Sequence, residues 1–280
     1  MKRIHAVIVF SALALTAPAI GQTAQEPAPI VASPISIARC APGTGASASE
    51  SEHSRLLGGA LDDFGRSGFP ALRNHIPKLM RALDAAPACY PKIEQRDRQT
   101  VVRALSTAEY LVLSSAISTA QQSGASGAPS ESIVMQPNTY GTIALLLGSA
   151  AVEDHQYSEA LALLDRGLAL QSHHEMLLTE KVSAFQGLGR NAEALAVLDF
   201  ILNDGELGLT ADRSRIFRLK GVVLIDLQRL DEAEAALNDS IKLNPENPGA
   251  RNELTYIAQL RANGPRRQLE ITAPNAPRPK

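Results

Sequence analysis

The chain repeats one pattern three times, as Tyr157-Ser-Glu-Ala-Leu-Ala-Leu-Leu, Asn191-Ala-Glu-Ala-Leu-Ala-Val-Leu and Leu230-Asp-Glu-Ala-Glu-Ala-Ala-Leu. The Glu-Ala pairs begin at Glu159, Glu193 and Glu232, in steps of 34 and 39 residues. A helical pattern that recurs at this period is typical of paired helices that stack into a solenoid. The sequence therefore predicts an all-α fold with a groove suited to binding.

These repeats resemble the tetratricopeptide family, in units that span 141–174, 175–208 and 214–247. The family keeps small residues where helix backbones approach each other and larger residues in the gaps between them. The packing positions hold Gly148, Ala151, Ala160, Leu164 and Gly167, then Val182, Phe185, Ala194, Leu198 and Ile201, then Phe217, Gly221, Leu224, Ala233, Leu237, Ser240 and Pro245. Val182 departs from the Gly or Ala of the pattern, and five additional residues follow the second unit, at 209–213.

Helical periodicity extends on both sides of the repeats. Apolar residues at three- and four-residue steps predict an N-terminal helical unit over 50–122, in which 92–122 is one long helix. Its first part, 50–90, resembles a degenerate repeat with irregular internal spacing, so whether it is a true repeat stays open. A last helix begins at Pro248 and fits the capping helix that a solenoid needs, which extends the repeat domain over 140–262.

Three segments have the composition of linkers or tails. They are rich in Pro, Ala, Ser or Gly and cannot bury enough apolar surface to fold alone. This composition predicts a disordered linker over 22–49, a second linker over 123–139 and a disordered basic tail over 263–280.

The N-terminus has the pattern of a secretory signal peptide. Lys2 and Arg3 precede an apolar run that is too short to span a bilayer, and small residues before Gln22 fit a cleavage site. Export to the periplasm or the medium is therefore expected, with no transmembrane segment after residues 1–21 are removed. The remaining 25 basic and 29 acidic residues give a formal charge of −4, which is too weak and mixed for nucleic acid binding.

The two cysteines, Cys40 and Cys89, are an even pair in a protein expected to be exported. In an oxidising compartment such a pair predicts one disulfide, which would stabilise the fold by about 4 kcal/mol through loop closure. Two unrelated thiols or a bridge between chains are the alternatives. A catalytic cysteine is not expected, because neither residue has a histidine close by in sequence.

The resemblance implies that the first helix of each unit lines a concave groove. The residues carried over to it are Thr142, Leu145, Ser149 and Val152, then Met176, Thr179, Ser183 and Gln186, then Arg215, Arg218, Val222 and Ile225. One subset of the family grips a peptide C-terminus with Lys and Asn at such positions. That clamp is absent here, since Arg215 and Arg218 are the only basic residues among them.

Two interpretations of this groove remain open. Apolar and small polar residues with two arginines at one end suit an extended or helical peptide that carries an acidic end. Alternatively, Arg215 and Arg218 are solvated cations on an exposed face without any ligand.

Catalytic and metal-binding patterns do not appear. His174-Glu175 begins a zinc-protease motif, but Leu178 occupies the place of the second histidine. His173 and His174 are adjacent, a poor geometry for chelation, and are expected to be a surface pair; His155 is expected in a turn between helices. No cofactor or metal is expected.

The sequence therefore predicts a non-catalytic scaffold or adaptor of the cell envelope that binds a protein or peptide. A self-assembling structural component of the envelope is the alternative. The oligomeric state, the partner and the cellular process are not determined by the sequence.

Overall fold

The computed structural model describes residues 35–45, 49–122 and 131–262 of the 280-residue chain. The predicted signal peptide at 1–21 and the predicted basic tail at 263–280 lie outside the described residues, as do parts of both predicted linkers. Within the described ranges, no helix is both long and apolar enough to cross a membrane.

The chain folds into helices, with one small sheet in its first half. The first helices are α1 (Glu50–Ser67), α2 (Phe69–Leu72) and α3 (Ile76–Asp84). The sheet region comprises β1 (Ile93–Arg96), β2 (Gln99–Ala104), α4 (Thr107–Gln122) and β3 (Ser132–Pro137). The solenoid comprises α5 (Thr139–Glu153), α6 (Tyr157–Leu170), α7 (Glu175–Gly187), α8 (Asn191–Asn203), α9 (Arg213–Asp226), α10 (Leu230–Leu243) and α11 (Pro248–Arg261).

The solenoid has the register that the repeat pattern predicts. Each unit is a pair of helices, α5–α6, α7–α8 and α9–α10, and α11 packs on the last pair as a cap. A Cβ atom placed on Gly148 would lie 2.5 Å from Leu164 Cδ2, and one on Gly221 would lie 2.5 Å from Leu237 Cγ. The two helices of a pair therefore approach closely only because these positions carry no side chain.

The turn within each helix pair is the same in all three units. His155, Gly189 and Gln228 have positive φ angles of 61°, 70° and 59°. The next residue in each unit donates its backbone N–H to a carbonyl five residues back, as in Arg190 to Phe185 at 2.8 Å. This is the left-handed helix ending that satisfies free carbonyls. The expectation that His155 lies in a turn is confirmed.

Two apolar clusters run through the helical part. The first joins α1, α2 and α3 to α5 and α6, and the second joins α7 through α11. Because α1 and α3 pack directly on α5, the solenoid continues onto the N-terminal helices without a gap.

The prediction of one long helix over 92–122 is wrong. Residues 93–104 form a hairpin, β1 pairs antiparallel with β2, and β2 pairs parallel with β3. Strand β2 is buried on both faces, and Val101 and Val102 are both fully covered. Its sequence therefore lacks the alternation of apolar and polar residues that marks a half-exposed strand. Residues 99–104 form a strand and not a helix because they are buried between α4 on one side and Tyr90 on the other.

The predicted linkers also contain ordered structure. Ala38 pairs with Glu94 and so extends the sheet beyond β1, while Ile35 is buried against Ile93 and α4. The second predicted linker, 123–139, contains β3 and the first residue of α5. Composition alone was misleading because these short segments gain their stability from pairing with distant strands.

The predicted disulfide between Cys40 and Cys89 is present, with 5.6 Å between the Cα atoms. It ties the chain after Ala38 to the segment before β1. The bridge therefore holds the N-terminal segment at the edge of the sheet, beside its pairing with Glu94.

A buried charge network joins the sheet to the helices. The Arg103 guanidinium is fully buried, donates to Glu94 Oε2 at 2.6 Å and to Pro91 O at 2.7 Å, and lies 4.0 Å from the centre of the Tyr90 ring. Burial raises the pKa of Glu94, but hydrogen bonds from Arg96 and Arg103 outweigh it and hold the pKa below its usual value.

Tyr90 connects this network to the helices. Its hydroxyl donates to Glu50 Oε1 at 2.6 Å and accepts the backbone N–H of Thr139 at 3.1 Å. Glu50 belongs to α1 and Thr139 to α5, so one side chain links the sheet to both. Burial raises the pKa of Tyr90 far above its usual range, and this hydroxyl stays protonated.

The end of the second unit packs against the sheet region. It forms a short 3₁₀ turn at Leu207–Leu209, and Leu209 packs with the apolar residues between the sheet and α4. Glu206 accepts the backbone N–H of Ser36 at 3.1 Å. The end of the second unit therefore anchors the N-terminal segment.

Candidate functional site

The first helices of the units are spaced unequally. Helix α7 packs directly on α5, whereas the backbones of α7 and α9 lie farther apart. Two polar pairs bridge α7 and α9 instead: Glu175 with Arg215 at 2.9 Å, and Gln186 with Asp226 at 3.0 Å. The stack is therefore wider between the second and third units, where the sequence carries its additional residues.

The predicted groove residues differ in how far they are exposed to solvent. Met176 and Ser183 on α7 are exposed. Eight are half-buried: Thr142, Leu145, Ser149, Val152, Gln186, Arg215, Arg218 and Val222. Thr179 and Ile225 are buried, and the prediction that they line an open groove is wrong. Thr179 hydrogen-bonds Met176 O at 3.1 Å, and Ile225 belongs to the apolar cluster of α7 through α11.

The two predicted arginines have different surroundings. Arg215 is paired with Glu175, so its charge is largely compensated. The stem of Arg218 lies against Gly249 at the start of α11, and no carboxylate of the described residues lies within ion-pair distance of its guanidinium. Arg218 is therefore the cation that remains available to a ligand.

Two carboxylates on α7 were missed by the sequence analysis. Burial raises the pKa of Glu175, although Arg215 acts against the rise. Burial also raises the pKa of Glu180, which a hydrogen bond with Ser149 and the charge of Arg215 partly oppose. Nothing in the sequence distinguishes these residues from other glutamates on helices, because their burial arises from the packing of α7 between neighbours.

A cleft of about 490 Å³ lies between α4 and the start of α7. Its polar wall contains Lys92, Glu109, His174 and Glu175, and the Lys92 ammonium lies 2.5 Å from Glu109 Oε1. Its apolar wall consists of Leu105, Ala108, Val112, Met176 and Leu209. The cleft adjoins the predicted groove at Met176.

The start of α4 at this cleft has a local cause. Ser106 Oγ accepts the backbone N–H of Glu109 at 3.1 Å, and the Glu109 carboxylate accepts the N–H of Leu105 at 2.6 Å. This reciprocal pattern resembles a capping box, whose signature is Ser-x-x-Glu. The signature Ser106-Thr-Ala-Glu109 is therefore a local sequence signal for a helix that starts here and not at residue 92.

His174 does not belong to a surface pair, as the sequence analysis expected. It is 1% exposed and caps α7, its Nδ1 accepting the Leu177 N–H at 3.3 Å. Burial, together with the nearby charge of Lys92, lowers its pKa to about 4. Its Nε2 has no hydrogen-bond partner among the described residues. His173 is half-buried, 3.4 Å from Asp204.

The described part of the chain contains no group of three or more His, Cys, Asp or Glu side chains arranged to hold a metal ion. What the site offers is a set of hydrogen-bond donors, one available cation and exposed apolar side chains.

No family model matches the sequence, and no curated protein matches it. Solved structures do match. A tetratricopeptide repeat protein of Parabacteroides merdae is 14% identical, with 76% of this chain and 61% of that one covered, at a TM-score of 0.47. A thermophilic repeat protein of Thermus thermophilus is 14% identical, with 74% and 98% covered, at 0.37. The first repeat domain of human RPAP3 is 24% identical, with 44% and 93% covered, at 0.39.

These similarities concern the fold, and no ligand or partner is carried over from them. The period of the helix pairs, the left-handed residue in each turn and the close approach at Gly148 and Gly221 define the class of protein. It is a tetratricopeptide-type solenoid preceded by helices and a small sheet.

Proposed function

We propose that this protein is a non-catalytic scaffold of the cell envelope that binds a protein or peptide segment along α7 and α9. Export through the N-terminal segment is part of this proposal and rests on the sequence pattern of residues 1–21. The observation that carries the proposal is an accessible strip on the first helices, where Met176 and Ser183 are exposed and the charge of Arg218 is not compensated.

The strip suits a peptide with an acidic group near one end. A carboxylate would gain a charge-assisted hydrogen bond from Arg218. It would not gain the same from Arg215, since Glu175 already accepts from that guanidinium and Glu180 lies near it. The acidic group is therefore expected towards α11 and not towards α7.

Binding is tested with peptides selected from a random library on the purified, disulfide-bonded protein and then synthesised singly. Arg218→Glu should lower the affinity for the selected peptides by about tenfold or more, because the attraction between Arg218 and the peptide carboxylate becomes a repulsion between two carboxylates. The matched control is Lys242→Glu on α10, whose side chain is 75% exposed and lies on a second helix. It should leave affinity unchanged. Equal effects of the two substitutions would exclude the groove assignment.

The cellular part of the proposal has its own test. A photo-crosslinking amino acid at Ser183 should capture a partner in cells, whereas the same group at the exposed Ser158 of α6 should not. Mass analysis of the exported protein should show a chain that begins near Gln22. Retention of Met1 would remove the export claim.

A self-assembling structural component is the second candidate. Phe200 on α8 and Leu243 on α10 are 44% and 55% exposed, and both lie on second helices. Contact between copies would bury them. Sedimentation of the purified protein separates the candidates, since a monomer at cellular concentration excludes assembly and a defined oligomer favours it.

A further inference from the structure

The cleft between α4 and α7 has the features of a binding site in its own right. Three exposed large apolar side chains line it: Leu105, between β2 and α4, at 40%, Val112 of α4 at 41% and Met176 of α7 at 41%. Single exposed apolar residues need no explanation, but a concave cluster of them marks a place that another apolar group covers.

We infer that this cleft takes up an aliphatic residue of a bound polypeptide, with the side chain between Val112 and Met176 and an uncharged main-chain carbonyl hydrogen-bonded to His174. The inference rests on the proposed function, since the cleft adjoins the first groove residue of α7. It adds a specificity pocket that neither the sequence nor the groove residues had indicated.

The chemistry of the ligand follows first from His174. Its Nδ1 accepts from the backbone of α7, so in the neutral ring the proton is on Nε2, which is a donor. That nitrogen is buried without a partner among the described residues. A buried donor of this kind is costly unless an acceptor reaches it, either directly or through one bound water.

The charges of the cleft exclude an anion as the acceptor. Lys92 is paired with Glu109, and Glu175 is paired with Arg215, so the polar wall is nearly neutral. A ligand carboxylate would meet two carboxylates whose cations are already engaged. A main-chain carbonyl is an acceptor without this penalty, and a cleft of about 490 Å³ has room for it together with an aliphatic side chain.

The test uses N-acetylleucinamide as the probe, added to the full-length oxidised protein with labelled methionine methyl groups and histidine nitrogens. Saturable shifts of the Met176 methyl and the His174 Nε2 resonances are expected. N-acetylalaninamide should bind at least about fivefold more weakly, because it lacks most of the buried apolar surface. N-acetylleucine, with its carboxylate, should also be weaker than the amide.

Two substitutions separate the parts of the inference. Ala108→Leu places a side chain in the cleft and should abolish the saturable shifts, while Ala196→Leu, at an exposed position of α8, should leave them unchanged. His174→Asn keeps an oxygen that can cap α7 but removes the Nε2 donor. It should weaken the probe by about five- to tenfold, the effect of one hydrogen bond.

The inference is overturned if the probe causes no saturable shift, if Ala108→Leu binds it like the unmodified protein, or if the carboxylate binds as well as the amide. Unchanged affinity of His174→Asn would remove the hydrogen bond and with it the stated ligand. The groove assignment fails separately, through Arg218→Glu and library peptides, since Arg218 does not line the cleft.

Discussion

The solenoid and the sheet region are held together by different kinds of interaction. In α5–α10 each helix packs on its neighbours in sequence, and contacts recur from one unit to the next. In the sheet region β2 pairs with β3, which follows α4 in the chain, the segment at Ala38 pairs with β1, and a disulfide joins Cys40 to Cys89. A buried ion pair also links β1 to β2. Local interactions are visible as a sequence period, whereas these distant ones leave little local trace.

The comparison predicts its largest effect at a packing position of the solenoid. Ala233 of α10 is fully buried, so Ala233→Arg should lower the free energy of unfolding by about 5 kcal/mol through overpacking and an unpaired buried charge. Ala235→Arg, at an exposed position of the same helix, should change it by less than about 0.5 kcal/mol. Urea unfolding measures both. Similar values for the two variants would mean that the repeat register is wrong.

The next effect is expected in the sheet region. Glu94→Gln leaves the fully buried Arg103 without its carboxylate and should cost about 3–4 kcal/mol. Glu193→Gln breaks an ion pair that is nearly half exposed at the start of α8 and should have a much smaller effect, because solvent screens it. Unfolding curves with hydrogen exchange over β1 and β2 distinguish local from global loss. A small effect of Glu94→Gln would show that the network is not structurally important.

The burial of His174, which lies between the two regions, should make the free energy of unfolding depend on pH. The folded-state pKa of His174 is about 4, below its usual value of 6.5, so the unfolded chain binds the proton more readily. The neutral ring therefore makes its full contribution to the free energy of unfolding above pH 6.5. That contribution, about 3 kcal/mol, is lost as the pH falls from 6.5 to 4.

His174→Asn should therefore have a flatter stability profile between pH 7 and pH 4 than the unmodified protein. Glu175 and Glu180 have raised pKa values and act in the opposite direction, but both proteins contain them, so their effect cancels in the difference. Parallel profiles from denaturant unfolding would contradict the burial of the His174 ring.

The smallest pair of effects compares two helical glycines. Gly221→Ala should cost about 2 kcal/mol, because its Cβ would overlap Leu237. Gly59→Ala has nothing within 4 Å of its added Cβ and should instead stabilise the protein by about 0.5–1 kcal/mol through helix propensity. Thermal unfolding should show a lower melting temperature for Gly221→Ala and a higher one for Gly59→Ala, if the helices approach closely at Gly221 and not at Gly59.

Much of the solenoid could be predicted because its determinants are local. The small residues at Gly148 and Gly221, the helix starts near residues 157, 191 and 230, and the cap at Pro248 all follow from the period. The sheet could not be predicted in this way. Val101 and Val102 fit a helix as well as a buried strand, and only pairing with Val134 on β3 and Ile93 on β1 decides between them.

The candidate site divides along the same line. The helix pairs and their register could be predicted, because they depend on the spacing of small and apolar residues along the chain. The Cys40–Cys89 bridge could be predicted only beside two alternatives, since an even number of thiols does not choose among them. The tertiary structure alone decided that Thr179 and Ile225 are buried, that Glu175 engages Arg215, and that α4 meets α7 around a cleft. Those features depend on the relative placement of segments far apart in the chain, and that placement is a property of packing that no local pattern encodes.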